Sequence, residues 1–342
     1  MKNAVMGAMS PDMAIDLGTT RTCIYVRGRG VVCREPSAVA IHEDRRGNRR
    51  IIAVGQPAWA MLGRTPPDIS VVRPLSDGAI TDFEVTEALL RHLMVQVQGR
   101  RLWVGPRVAV CIPYGTTDME RRALRESTEA SGAREVHLIE QPLAAAVGAG
   151  LPVSDAQGSM VVDVGGGTTE IAVLSLGGIV YSRTLKIGGD ALDLAVAEHT
   201  RERHHLAIGP ASAELVKLRL GSALLSNPTA RMTVKGRDLN TGLPRAVELT
   251  AEEVVSALSE PVRMIVEAVL SSLEHTPPDL AADVAETGIV LTGGGAGLSG
   301  LDAVISQATG LPVVVPEDPE TSVVLGAGQI LDDSDLLRAA ST

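Results

Sequence analysis

Two stretches of the sequence share an order of residue types suited to holding a polyphosphate and its metal. Met13-Ala14-Ile15-Asp16-Leu17-Gly18-Thr19-Thr20 leads into Thr22-Cys23-Ile24-Tyr25-Val26. Met160-Val161-Val162-Asp163-Val164-Gly165-Gly166-Gly167-Thr168-Thr169 leads into Ile171-Ala172-Val173-Leu174. Each copy is an apolar strand, an Asp, a Gly-containing turn, a Thr pair and a second strand. Aligned by residue type, with two extra glycines in the second copy, Asp16 falls on Asp163, Gly18 on Gly165, and the Thr pairs coincide. Glycine lets the backbone turn tightly and bring its N–H groups close to an anion. The Thr hydroxyls add donors. An Asp at the strand end stands where it can hold a hydrated cation, and Mg²⁺ keeps most of its water, so Asp16 and Asp163 are expected to act largely through coordinated water. One such loop reads equally well as a plain β-turn. Two facing copies would clamp a polyphosphate from both sides.

Other chemical signals are weaker. Gly295-Ala296-Gly297-Leu298-Ser299-Gly300 fits G-x-G-x-x-G between a predicted strand and helix, with Glu317 and Asp318 about twenty residues on. Only 42 residues follow Gly300, which reads against a dinucleotide-binding fold. No G-x-x-x-x-G-K-[ST] sequence is present. His199, His204 and His205 have no further ligand at a sensible spacing and read as a polar helix end. Cys23, Cys33 and Cys111 give neither a disulfide framework nor a zinc pattern, so a reducing compartment is expected.

The elements that would carry these residues are legible as periodicity. Strands are expected at 36–41, 51–54, 108–112, 136–139, 288–292 and 313–315, with more polar ones around 231–235 and 245–249. An amphipathic helix opens at 81–85, with Val85, Leu89, Leu90, Leu93 and Met94 on one face. Thr117 and Glu120 form a capping box for a helix to about Ala130. Further helices are expected at 143–148, 190–204, 211–225, 250–275 and 300–308, and Pro277-Pro278 reads as a helix stop. Hairpin, insertion and helix thus occur twice, which suggests two halves of related architecture. The 342 residues suffice for two cores, and 45% hydrophobic with 21% charged residues is a globular composition. A net charge of −10 argues against a duplex nucleic-acid partner. No apolar run is long enough to span a bilayer, and the start lacks a signal-peptide core.

The chain resembles the actin, Hsp70 and sugar-kinase superfamily, and within it the bacterial actin homologues of the MreB and Mbl type. The resemblance covers about 13–331. It is carried by Asp16-Leu17-Gly18-Thr19-Thr20, Glu35-Pro36-Ser37, Glu120-Arg121-Arg122-Ala123, Gly132-Ala133-Arg134-Glu135-Val136, Asp163 through Glu170, Ile187-Gly188-Gly189-Asp190 and Leu291-Thr292-Gly293-Gly294-Gly295-Ala296. It implies an α/β, actin-like fold, a duplicated ribonuclease H-like pair of domains with a central nucleotide cleft. The expected divisions are a tail at 1–12, domain I at 13–150 with a small subdomain at about 35–76, domain II at 151–320 with a small subdomain at about 188–262, and a C-terminal helix returning to domain I within 321–342.

The resemblance also assigns roles. Gly18, Thr19 and Thr20 are expected to form the first phosphate loop and Gly165, Gly166, Gly167 and Thr168 the second, with ATP and Mg²⁺ between them. Glu140 matches the water-orienting position, where a carboxylate can direct and deprotonate the attacking water; the alternative is a Glu answering a helix dipole. The family pattern there is Glu-Glu-Pro, and this chain departs from it with Glu140-Gln141-Pro142. ATP binding is therefore a safer expectation than fast turnover. Glu214 and Lys217 match ribose contacts, with an exposed i,i+3 ion pair as the alternative. Gly294, Gly295 and Ala296 match the adenine-side loop.

Leu102 and Trp103, flanked by Arg100, Arg101 and Arg107, match a hydrophobic membrane loop, where the ring takes the interface and the cations meet anionic lipid; the alternative is Trp103 packed inward. Met1, Ala4, Val5, Met6 and Met9 offer a weaker N-terminal anchor. The expected protein is a cytoplasmic, slow Mg-dependent ATPase, peripheral on the inner face of the cell membrane. It would form filaments with copies of itself and work with cell-wall synthesis proteins to set cell shape. The rivals are a non-polymerising actin-fold ATPase, including an Hsp70-like peptide binder, or a small-molecule kinase of the same superfamily.

Overall fold

The computed structural model describes residues 11–76, 79–98 and 105–340. Its frame is two five-stranded sheets of the same design. In the first, the spatial order is Glu135–Glu140, Arg107–Ile112, Met13–Leu17, Arg21–Val26, Gly30–Pro36. In the second it is Val313–Val314, Ile289–Thr292, Ser159–Val164, Thr169–Ser175, Gly178–Leu185. Each sheet has a central strand paired antiparallel to the hairpin strand after it and parallel to a later one. The central strands are covered on both faces, which is why Met13, Ala14, Ile15 and Leu17, and Met160 through Val164, read as near-continuous apolar runs.

The hairpin registers correct one detail of the alignment by residue type. Asp16 pairs with Cys23 and Asp163 with Glu170. The turns have the same build, closed by Gly18 N–H to Arg21 O at 3.1 Å and Gly165 N–H to Thr168 O at 2.8 Å. The second copy therefore has no inserted glycines. Thr19 and Thr20 stand where Gly166 and Gly167 stand, and Thr22 is the counterpart of Thr169. Ladder register, not residue identity, fixes the correspondence.

Between the sheets lies a shared core. Ala14, Ala109, Cys111 and Ile139 of the first pack in one cluster with Val161, Ala172 and Leu174 of the second, through the helices Gln141–Gly148 and Ser322–Asp332. These helices cross in close contact. A Cβ on Gly148 would lie 1.8 Å from Ser322 O, and one on Gly326 would lie 1.8 Å from Ala144 O. Outer cores back each sheet, one containing Leu89, Leu90 and Leu93 and the other Leu258, Ile265 and Val269. Each half carries a small three-stranded sheet, Arg49–Val54, Val39–Glu43 and Ile69–Val72 in one, Leu206–Ala207, Arg231–Asp238 and Pro244–Thr250 in the other.

Capping chemistry sets several boundaries. Thr117 and Glu120 cap Asp118–Ala130, and Thr250 and Glu253 cap the 24-residue helix Ala251–Glu274. The helix expected over 211–225 is Pro210–Leu220, because the chain turns extended at Gly221 and Ser222 bridges to Ser299. Pro277-Pro278 does more than stop a helix. Pro278 opens the next one, Pro278–Thr287, where its missing N–H costs nothing. No helix among the described residues is long and apolar enough to cross a membrane. The membrane-loop residues Leu102 and Trp103, and the N-terminal segment with Met1 to Met9, lie outside the described residues.

Candidate functional site

Both hairpin turns line one cavity of about 510 Å³. They also touch. A Cβ on Gly166 would lie 1.8 Å from Thr20 Oγ1, so only glycine fits there. Thr20 Oγ1 is buried without a hydrogen-bond partner, a hydroxyl that has lost water and gained nothing within the protein. Each turn is propped by the chain leaving its third strand. Ser37 donates from Oγ to Gly18 O at 2.6 Å and from its N–H to Thr20 O at 2.9 Å. Gly189 and Asp190 donate their N–H groups to Gly165 O and Gly166 O at 2.9 and 2.8 Å. The Glu35-Pro36-Ser37 and Ile187-Gly188-Gly189-Asp190 motifs thus have a physical role as supports.

Asp16 and Asp163 line the same cavity. Asp163 is 8% exposed, and loss of hydration pushes it up to about 6, against the hydrogen bond from Thr292 Oγ1 at 3.1 Å. Asp16 keeps some contact with solvent through the cavity, yet surrounding protein strips most of its hydration. Burial first, and the Asp163 charge second, push it up to about 7, while a hydrogen bond from Gln141 Nε2 at 3.1 Å acts the other way. Among the described residues neither carboxylate forms an ion pair. Two carboxylates raised by burial, lining one cavity beside glycine turns and an orphaned hydroxyl, suit a magnesium-bound polyphosphate.

The remaining expected residues fall into place unevenly. Gly18, Thr19, Gly165, Gly167, Thr168, Glu214, Lys217, Gly294 and Gly295 line the cavity; Ala296 is buried and does not. The Gly293–Gly295 turn packs directly on the strand of Asp163, since a Cβ on Gly295 would lie 2.3 Å from Val164 Cγ1. The alternative Glu214–Lys217 ion pair is not formed. Lys217 Nζ lies 2.9 Å from Asp193 and donates to Gly189 O at 3.0 Å, which ties its helix to the support of the second turn. Glu140 does not line the cavity. It occupies the N-cap of Gln141–Gly148, and its Oε1 accepts from Arg121 at 3.0 Å. His204 pairs with Glu253 at 2.8 Å.

Several charged residues in or around the cavity were given no role by the motifs. Glu170 is 1% exposed, stands opposite Asp163 in the ladder, and is driven well above the usual carboxylate range by burial. Its signal was a lone charge in the apolar strand Thr169–Ser175. Arg73 and Asp190 line the cavity from opposite halves and meet at 2.6 Å, with the Arg73 guanidinium 5.0 Å over the Trp59 ring. Arg21–Glu320 at 3.2 Å and Arg34–Asp318 at 2.5 Å also join the halves. No local sequence signal marks these pairs.

The sequence pattern of the family described as MreB/Mbl protein matches residues 10–339. The chain is 52% identical over 332 residues to the cell shape-determining protein MreB of Escherichia coli (strain K12), covering 96% of each chain. It is 42% identical over 326 residues to the cell shape-determining protein Mbl of Bacillus subtilis (strain 168), covering 95% of this chain and 97% of the relative. The crystal structure of MreB 5 of Spiroplasma citri bound to AMPPNP superposes with a TM-score of 0.89 at 35% identity, over 94% of this chain and 96% of that one.

Proposed function

The chain belongs to the MreB/Mbl family of bacterial actin homologues, and on that premise we propose that it is an ATP-binding cytoskeletal protein. It polymerises into filaments on the cytoplasmic face of the cell membrane and works with the cell-wall synthesis machinery in setting cell shape. The observation that carries the nucleotide reading is the contact of the two glycine turns, Thr20 against Gly166, beside the facing carboxylates of Asp16 and Asp163. A relative at 35% identity solved with AMPPNP supports it, and relatives named for cell shape support the cellular role.

In this reading the N–H groups of Thr19 and Thr20 and of Gly166 to Thr168 hold the phosphates, while those of Gly18 and Gly165 close the turns, and the Thr20 hydroxyl gains its missing partner. Asp16 and Asp163 hold the waters of Mg²⁺, which when bound offsets phosphate charge and polarises the terminal phosphoryl group. Glu214 and Lys217 reach the ribose, and Gly294 and Gly295, backed by Ala296, admit the flat base. Glu140 stands behind the cavity wall, paired with Arg121, and would have to turn from that pair to orient the attacking water and accept its proton. That pairing fits a slow ATPase coupled to assembly. Leu102 and Trp103 are the proposed lipid contact, and the domain divisions are those expected from the sequence, 13–150 and 151–320.

The test combines nucleotide titration with electron microscopy of purified protein, ATP and anionic vesicles. Mg-dependent ATP binding, lost in Asp163→Ala, and vesicle-bound filaments are expected. A protein that binds no Mg-nucleotide, or binds it without ever assembling, would sink the reading.

A further inference from the structure

One ion pair of the cavity has a side chain on each of the turns that a nucleotide would bridge. Arg21 and Glu320 both line the cavity, and Arg21 Nη1 lies 3.2 Å from Glu320 Oε1 and 3.5 Å from Oε2. The backbone of Arg21 closes the first phosphate turn, because its carbonyl accepts from Gly18 N–H at 3.1 Å. Its side chain leaves that turn for the other half of the molecule.

Glu320 belongs to the short turn Pro319–Thr321, which leads into the helix Ser322–Asp332. Pro319 O accepts from Gly293 N–H at 2.9 Å, so this segment props the base-side glycine turn. A Cβ on Gly294 would lie 3.9 Å from Glu320 Oε1. The charge of Glu320 also contributes to raising Asp16. The carboxylate therefore stands on the path between the turn that would admit the base and the turn that would take the phosphates.

The pair is suited to exchange. The side chains of Arg21 and Glu320 are 49% and 32% exposed, and an ion pair with that much water around it is weak. A phosphate chain carries more negative charge than a carboxylate and offers a guanidinium the same two-pronged acceptor. Asp318, two residues before Glu320, is held separately by Arg34 of the same hairpin. The segment can thus stay in place when Glu320 lets go, and the exposed Glu320 side chain has solvent to turn into.

We propose that Glu320 is an internal competitor for the phosphate chain: it holds the Arg21 guanidinium until a polyphosphate takes that guanidinium over. The inference rests on the Mg-nucleotide reading of the cavity and deepens it. Glu320 weakens the binding of nucleoside di- and triphosphates and hastens their release. A nucleoside has no phosphate to offer Arg21, so its binding is indifferent to Glu320.

The experiment is equilibrium titration and stopped-flow release of a fluorescent ATP analogue at saturating Mg²⁺, with adenosine as a competitor. The proteins are the parent, Glu320→Gln, Arg21→Gln and the double variant. Gln keeps the size of Glu320 and removes its charge. Glu320→Gln should bind the analogue about threefold to fivefold more tightly and release it correspondingly more slowly. Arg21→Gln should bind it no more tightly than the parent, and adding Glu320→Gln to Arg21→Gln should change the affinity by less than about twofold. Adenosine should compete equally well in all four. The same gain from Glu320→Gln with and without Arg21 overturns the inference, since the carboxylate would then act on the nucleotide by its own field. So does an equal gain for adenosine, which would make Glu320 a steric obstacle, and so does no gain at all. A parent protein that binds no Mg-nucleotide overturns the underlying reading, and this inference with it.

Discussion

Burying an acid has a measurable consequence at Asp16 and Asp163. Their ordinary value is 3.8, and in the folded, metal-free protein they rise to about 7 and about 6. Between about pH 4 and 7 the folded state holds more protons than the unfolded state, so metal-free stability falls as pH rises. Asp16→Asn and Asp163→Asn should therefore melt higher than the parent in EDTA at pH 8, by on the order of 1–3 kcal/mol, and match it near pH 4. Mg-nucleotide should reverse the order by stabilising the parent alone. Variants no more stable than the parent at pH 8 would show that these carboxylates are not strained. Glu140 makes a different prediction. Glu140→Ala should keep ATP bound and slow single-turnover phosphate release about 10²-fold or more. Equal rates would remove Glu140 from the chemistry and leave it as the N-cap partner of Arg121.

At the scale of elements, the crossing of Gln141–Gly148 with Ser322–Asp332 joins the halves. Backbone meets backbone there because neither Gly148 nor Gly326 has a side chain, and Ala144 to Ala146 keep the facing surface low. Gly326→Val must push the helices apart in a core packed at crystal-like density. Overpacking of this kind costs about 1–3 kcal/mol, so the melting temperature of a chain this long should fall by roughly 1–4 °C. Gly310→Ala offers a contrast, since Gly310 has a positive φ of 73° with open space around it. It should cost only backbone strain, about 1–2 kcal/mol, without disturbing the cavity. A Gly326→Val protein with unchanged melting and unchanged nucleotide affinity would mean that the crossing is not a rigid joint.

At the scale of the whole molecule, the halves are also tied across the mouth of the cavity. Arg73, stacked over Trp59, reaches Asp190 at the N-terminus of Gly189–His204, the same segment that supports the second glycine turn. Opening the cleft must break this pair. A part-exposed ion pair contributes up to about 1 kcal/mol, so Arg73→Ala and Asp190→Ala should each speed nucleotide release by up to about fivefold. The charge swap, Arg73→Asp with Asp190→Arg, should restore much of the difference. Stopped-flow release rates that are equal in all four proteins would remove the pair from control of the cleft.

The sequence by itself determined the two Asp–Gly-turn hairpins, the Ala-rich helix after Glu140, the capping box at Thr117, the helix entry at Thr250, and the duplication. All of these are local: turn conformations demand glycine, caps demand Ser or Thr with Glu three residues on, and buried central strands demand apolar runs. Tertiary structure alone decided what those segments face. The equal length of the two turns, Glu170 opposite Asp163, and Cys111 beside Asp16 where Thr292 stands beside Asp163, all follow from ladder register, a cooperative property of whole sheets. Gln141 on Asp16, Lys217 on Asp193 and Arg73 on Asp190 join residues 24 to 125 positions apart in the chain. No periodicity or motif encodes such pairs, because they exist only once the separate elements have packed against one another.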